Sequence, residues 1–267
     1  MKAFSWSEAP HGAVVVDGKR LEAAAFGPPP EAAPTLVLLH EGLGCVALWR
    51  DFPERLAEST GFGVFVYSRA GYGRSDPVDL PWPLDYMTRE ARFSLPVVLG
   101  AIGFRQGAFV GHSDGASIAA INAGSCVDER VKGLVLMAPH LFAEASGLAS
   151  ILDAKRAYEW GDLRAKLAKY HAHVDCAFRG WNGVWLAPAF EAWNIEKFVD
   201  RWRTPALLIQ GAGDQYGTLA QIRAIETRTR APVESLILPD CRHSPHLEKP
   251  QATLEAVAKF CARLFAA

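Results

Sequence analysis

The sequence predicts an α/β fold: a mostly parallel sheet of about eight strands flanked by helices. Three observations carry that expectation. Short apolar runs without polar alternation, such as Thr35-Leu36-Val37-Leu38-Leu39, suit strands covered on both faces. These runs alternate along the chain with stretches of helical periodicity. Finally, Ala108-Phe109-Val110 leads into Gly111-His112-Ser113-Asp114-Gly115 and then a helical segment, the strand–turn–helix context of a G-x-S-x-G elbow.

Taken in order, residues 12–17 and 20–26 flank Gly18-Lys19 and read as a β-hairpin. A Pro-rich loop from Pro28 to Pro34 precedes the strand at residues 35–39, which ends in His40-Glu41-Gly42-Leu43-Gly44. Leu48, Phe52 and Leu56, with Trp49 beside them, form a helical stripe. A strand over residues 64–67 then runs into the glycine-rich turn Arg69-Ala70-Gly71-Tyr72-Gly73-Arg74-Ser75. No Lys-Ser/Thr follows these glycines, so they are not a phosphate cradle. Helix is expected through much of residues 84–102, kinked or restarted at Pro96. Residues 134–137, 206–209 and 236–238 read as further buried strands. The last helix carries Leu254, Val257, Ala258, Cys261, Leu264 and Phe265 on one stripe, with Pro250 near its start.

Residues 140–203 break this rhythm, with helical patterns and no strand between them. They hold Trp160, Trp181, Trp185, Trp193 and Trp202, five of the eight tryptophans of the chain. So aromatic an insert packs as a small helical subdomain, covers a pocket, or does both.

Composition sets bounds on partners and compartment. The chain has 267 residues, 50% of them hydrophobic, and a formal net charge of −1. That supports a sizeable core and gives no footprint for nucleic acid or an anionic membrane. No apolar run reaches the roughly 18 residues that span a bilayer. Met1 to Pro10 lack the apolar core of a signal peptide. Five cysteines, Cys45, Cys126, Cys176, Cys241 and Cys261, form no C-x-x-C pair, and the expectation is reduced thiols in the cytoplasm.

The chemistry is expected at Ser113. A G-x-S-x-G pentapeptide alone arises by chance in roughly one chain in ten of this length, so context decides. A serine hydroxyl needs a histidine base, and the histidine needs a carboxylate to fix its tautomer. In an elbow of this kind the chain order is serine, acid, histidine. Asp214 follows the apolar run at residues 206–209, and His243 follows the run at 236–238. Both fall just beyond a strand, where the carboxyl end of a parallel sheet gathers its site. His246 competes as base but lies nearer the last helix. Asp240 competes as acid but belongs to the wrong loop. Asp114 reads as a carboxylate complementing the first turn of a helix, and His40 and His112 as hydrogen-bonding groups around the site. His171 and His173, two apart, do not share a helix face, so no metal site is expected.

Together these marks resemble the α/β-hydrolase superfamily, specifically its capped serine hydrolases. They are Leu39-His40 with the following glycines, Arg69 with Gly71-Tyr72-Gly73 and Ser75, the Ser113 elbow, Gly211 to Asp214, and His243-Ser244-Pro245-His246-Leu247-Glu248-Lys249-Pro250. The resemblance implies a hydrolase core at residues 1–139 and 204–267, with residues 140–203 as a cap inserted after strand six. It implies a catalytic triad of Ser113, Asp214 and His243, with an oxyanion hole of backbone N–H groups from Asp114 and from Gly42, Leu43 being the alternative. The family usually has His-Gly where this chain has His40-Glu41, and often a glycine where it has Arg242. Glu41 reads as a solvated loop residue or as a bias on substrate charge.

Leu43, Trp49, Trp181 and Trp185 are the candidate substrate-binding residues, an apolar lining suited to an apolar acyl or aryl group. The expected activity is cleavage of a carboxylic ester or similar acyl bond through an acyl-enzyme, without metal or cofactor. Alternatives are a carbon–carbon bond hydrolase acting on an aromatic-degradation intermediate and a non-catalytic ligand-binding relative. The expected partner is a small-molecule substrate, and a homo-oligomer is compatible with the sequence.

Overall fold

The apolar runs assemble into one eight-stranded sheet with the order β1-β2-β4-β3-β5-β6-β7-β8. The computed structural model describes residues 4–6 and 11–266, so most of the N-terminal ten residues lie outside it. The strands are β1 (His11–Val16), β2 (Lys19–Phe26), β3 (Thr35–Leu39), β4 (Gly63–Tyr67), β5 (Gly107–His112), β6 (Val131–Met137), β7 (Ala206–Gly211) and β8 (Val233–Leu238). β1, β2 and β4 pair antiparallel, and every pair from β4 through β8 is parallel.

All five residues of β3 are buried. Leu36 and Leu38 join one core layer, against the helices Phe52–Thr60 and Pro250–Leu264, while Val37 and Leu39 join the other. The period-two alternation of a strand thus explains why such a run carries no polar residue: both faces are covered.

Two expectations need correction, and a third, the helix interrupted near Pro96, takes a definite form. The hairpin turn is Asp17-Gly18, both at positive φ, one residue earlier than read. β8 is the edge strand of the sheet among the described residues, and only Leu238 in it is buried, so its side chains are largely open to water. Residues 86–101 form one continuous helix with a turn of π-helix at Glu90–Ser94. Pro96 has no N–H and would crowd the Arg92 carbonyl, so the chain widens there instead of breaking. The Ala91 carbonyl accepts from Asn122 Nδ2 at 2.7 Å.

β3 sits between β4 and β5, so the chain winds away from it in both directions. The crevice beyond the carboxyl ends of β3 and β5 is the place where such sheets bind ligands. Between β6 and β7 the chain runs through the helices Ala145–Trp160, Leu163–Leu167, Val174–Trp185 and Glu196–Val199, with the bridge Phe142–Asn194 as the sole strand-like pairing among the described residues. No helix among the described residues is long and apolar enough to cross a membrane.

Candidate active site

β5 ends at His112, and the chain turns at Ser113, with φ 53° and ψ −116°, into the helix Asp114–Ser125. The strain of positive φ falls on the serine itself. The flanking glycines supply room. A Cβ on Gly115 would strike the Leu39 carbonyl, and one on Gly111 would lie 2.6 Å from the Ala116 backbone. Ser113 N–H donates to the Met137 carbonyl at 2.8 Å, which ties the turn to β6. The result is a serine only 6% exposed at a helix N-terminus, where the peptide dipoles favour developing negative charge.

Asp214 lies on the loop after β7. Its carboxylate accepts from Tyr216 N–H at 2.8 Å, Gly217 N–H at 3.4 Å and Gln210 Nε2 at 2.8 Å. His243 Nδ1 meets the same carboxylate at 2.8 and 2.9 Å. Burial alone would raise the Asp214 pKa, but the hydrogen bond and charge of His243, with Tyr216 N–H, hold it below the ordinary value. An ionised Asp214 can only accept, so Nδ1 is the donor of this pair and Nε2 is the ring nitrogen left without a protein partner among the described residues.

The loop after β3 is fixed by buried polar groups. Arg69 donates from Nη1 to the His40 carbonyl at 2.5 Å and from Nη2 to the Glu41 carbonyl at 3.1 Å, while its backbone N–H donates to His40 Nε2 at 3.0 Å. His40 Nδ1–H then donates to the Glu41 carbonyl at 2.7 Å. On the far side, Gly73 N–H donates to His171 Nδ1 at 2.9 Å and His171 Nε2–H reaches the Leu43 carbonyl at 3.0 Å. These contacts consume carbonyls. The N–H groups of Gly42 and Leu43 have no acceptor among the described residues. The Asp114 carboxylate accepts from Tyr86 Oη, lies 4.0 Å from Arg69 Nη2, and is 1% exposed. Burial raises its pKa, and Arg69 opposes the rise. Tyr86 Oη in turn accepts from Trp185 Nε1 at 3.1 Å.

Glu41 is no free loop residue. Its Oε2 faces His112 Nδ1 at 3.3 Å, and His112 Nε2 faces the His243 carbonyl at 2.7 Å. Two acceptors on one imidazole call for two protons. Burial lowers the His112 pKa, yet Glu41 and the His243 carbonyl outweigh it and the net shift is upward. Burial likewise pushes Glu41 up, and His112 brings it well below the usual carboxylate range.

Ser113, Asp114 and His243 meet Gly42 and Leu43 around a cavity of about 100 Å³. Ile151, Trp181, Trp185 and Tyr216 form its apolar walls, and Glu41 and His140 also line it. Pockets for drug-sized ligands run to roughly 300–1,000 Å³, so this one suits a small group. Trp181 and Trp185, one helical turn apart, both face the cavity as expected. Trp49, expected there, does not line it. Its ring is 1% exposed and packs on Phe52 at 6.0 Å and His246 at 4.7 Å, on the opposite layer of the core. Arg50, at φ 54°, separates the short 3-10 turn that carries Trp49 from the helix of Phe52. His246 shares that layer, 4% exposed, with burial driving its pKa down to about 3. Sequence reasoning missed Tyr86, His140, Ile151 and Tyr216 at the site. Of these only His140, directly after a buried strand, stands where a signal was available.

Residues 36–256 match the family described as the alpha/beta hydrolase family. No curated protein sequence matches the chain. Among solved structures, an enol-lactonase from Burkholderia xenovorans LB400 aligns with a TM-score of 0.72 at 19% identity, over 93% of this chain and 99% of that one. Naproxen esterase from Bacillus subtilis aligns with a TM-score of 0.72 at 17% identity, over 95% and 91%. A proline iminopeptidase from Mycobacterium smegmatis gives a TM-score of 0.72 at 18%, over 95% and 98%. At such identities the likeness is one of fold.

Proposed function

The chain belongs to the alpha/beta hydrolase family, and on that premise we propose that it is a serine hydrolase cleaving a carboxylic ester, or a similar acyl bond, of a small and largely apolar substrate. One observation carries the reading. Asp214 holds His243 through Nδ1 at 2.8 Å, which leaves Nε2 as a base in the cavity that also holds Ser113. His243 Nε2 takes the proton of Ser113 Oγ as that oxygen attacks the carbonyl carbon. The N–H groups of Gly42 and Asp114 receive the oxyanion. His243 then protonates the leaving alcohol, and the acyl-enzyme is hydrolysed by a water that His243 deprotonates. No step calls for a metal or cofactor.

In this reading residues 140–203 are a cap over a core of residues 1–139 and 204–267, and Trp181 and Trp185 are its contribution to the acyl pocket. Leu43 completes the apolar lining. The enol-lactonase and the esterase among the structural neighbours act on acyl–oxygen bonds by name, which fits this class. Five free cysteines fit a cytoplasmic protein.

The test is direct. Wild type is expected to hydrolyse p-nitrophenyl esters of short acids and to be labelled at Ser113 by a fluorophosphonate, and Ser113→Ala to lose both. Wild-type ester turnover by Ser113→Ala would refute the assignment. Turnover of a ring-cleavage diketone in place of simple esters would move the reading to carbon–carbon bond hydrolysis.

A further inference from the structure

Among the histidines that line the cavity or hold its loops, all but one are committed, and His246, whose Nδ1 has no partner among the described residues, packs on Trp49 and does not line the cavity. His40, His112 and His171 each have both ring nitrogens on protein partners, and His243 gives Nδ1 to Asp214. His140 is the exception. It follows β6 after Ala138, which turns the chain at φ 49°, and its carbonyl is pinned by Ser117 Oγ at 2.7 Å. Its ring stands edge-on to Trp185, with centroids 5.3 Å apart, and backs onto Gly217, where a Cβ would lie 3.0 Å from Cε1. The residue is 4% exposed and lines the cavity. Neither ring nitrogen has a hydrogen-bond partner among the described residues.

Burial, aided by the neighbouring His243, pushes the His140 pKa down to about 3. The ring is therefore neutral at physiological pH and presents one N–H donor and one bare nitrogen acceptor. A donor and an acceptor that line the cavity without a protein partner are poised to discriminate when a ligand satisfies them. The surroundings sharpen this. Ile151, Trp181 and Trp185 offer apolar surface, and Glu41 is engaged with His112.

Building on the hydrolase reading, we propose that His140 is a specificity-determining residue that hydrogen-bonds a second, uncharged oxygen of the substrate. The substrate class is then a short ester or lactone bearing a hydroxyl or keto oxygen near the scissile carbonyl. The ring centroids of His140 and His243 are 5.8 Å apart, which places that oxygen within a few bonds of the reacting carbon.

Matched probes test it: p-nitrophenyl butanoate against p-nitrophenyl 2-hydroxybutanoate and 3-hydroxybutanoate, with kcat/KM for each. Wild type is expected to favour one hydroxylated ester by about tenfold, the worth of one hydrogen bond of ~1.4 kcal/mol. His140→Phe is expected to bring that ratio to about 1, and His140→Gln, which keeps a donor and an acceptor, to retain most of it. A wild type that takes up fluorophosphonate but shows no preference would overturn the role of His140 alone. So would a His140→Phe variant that lowers all three esters in proportion. A wild type that neither labels nor cleaves any ester would overturn the hydrolase reading and this inference with it.

Discussion

Replacing Glu41 by Gln removes the partner of a charged, buried ring, and the structure dictates how the loss varies with pH. His112 is 1% exposed, with Nδ1 3.3 Å from Glu41 Oε2 and Nε2 2.7 Å from the His243 carbonyl. A bridge to a charged group contributes roughly 1.5–3 kcal/mol. The larger penalty of a stranded buried charge does not apply in full, because the Glu41 side chain is 26% exposed and His112 can shed its proton. A loss of about 2 kcal/mol lowers Tm by roughly 4–8 °C in a chain of this size.

The sign follows from linkage. The folded pKa of His112 lies above its reference value of 6.5, so its contribution is complete below that pH and fades as pH rises through the folded pKa. The folded pKa of Glu41 lies below its reference value of 4.5, so its contribution is present above that pH and fades only in strong acid. The Tm deficit of Glu41→Gln should therefore be largest between about pH 5 and 6.5 and shrink toward pH 9. Other groups facing His112 are His243, with centroids at 5.1 Å, His246 at 4.9 Å, and the nearby charge of Asp214. They are common to both proteins and drop out of the difference. Thermal unfolding followed by circular dichroism from pH 5.5 to 9, at fixed ionic strength, measures it. A deficit that is constant or grows with pH would refute the charged pair.

Two further outcomes are expected. Asp214→Asn should fold normally and lose roughly 10⁴-fold in kcat on p-nitrophenyl esters, because an amide no longer fixes Nδ1–H or balances the imidazolium; stopped or initial-rate assays read it directly, and a loss under tenfold would count against Asp214 as the acid. Ser113→Gly should abolish hydrolysis yet raise Tm above that of Ser113→Ala, by roughly 2–4 °C for about 1 kcal/mol of relieved strain at φ 53°; calorimetry showing the reverse order would mean the elbow stores no strain.

How much of this was legible in the chain differs from element to element. The cores of all eight strands lie within a few residues of their expected positions; for the central strands β3, β4, β5 and β7 this is because burial on both faces writes itself into a run of apolar residues. The Ser113 elbow was legible because close backbone approach at Gly111 and Gly115 admits no side chain. The exposed edge of β8 was not, since an apolar run does not say whether a neighbour strand exists. Trp49 was misplaced for a related reason: periodicity tells which residues are covered and not by what.

By itself, then, the sequence determined the sheet, the elbow and the order of Ser113, Asp214 and His243, all properties of local pattern and chain order. Tertiary structure alone decided that Glu41 and His112, 71 residues apart, would share a charge pair, and that His112 would meet the carbonyl of His243, 131 residues away. It also decided that His140 would enter the pocket with its ring nitrogens unpartnered. A polar residue in a sequence carries its donors and acceptors but not their partners, and only the packed chain assigns those.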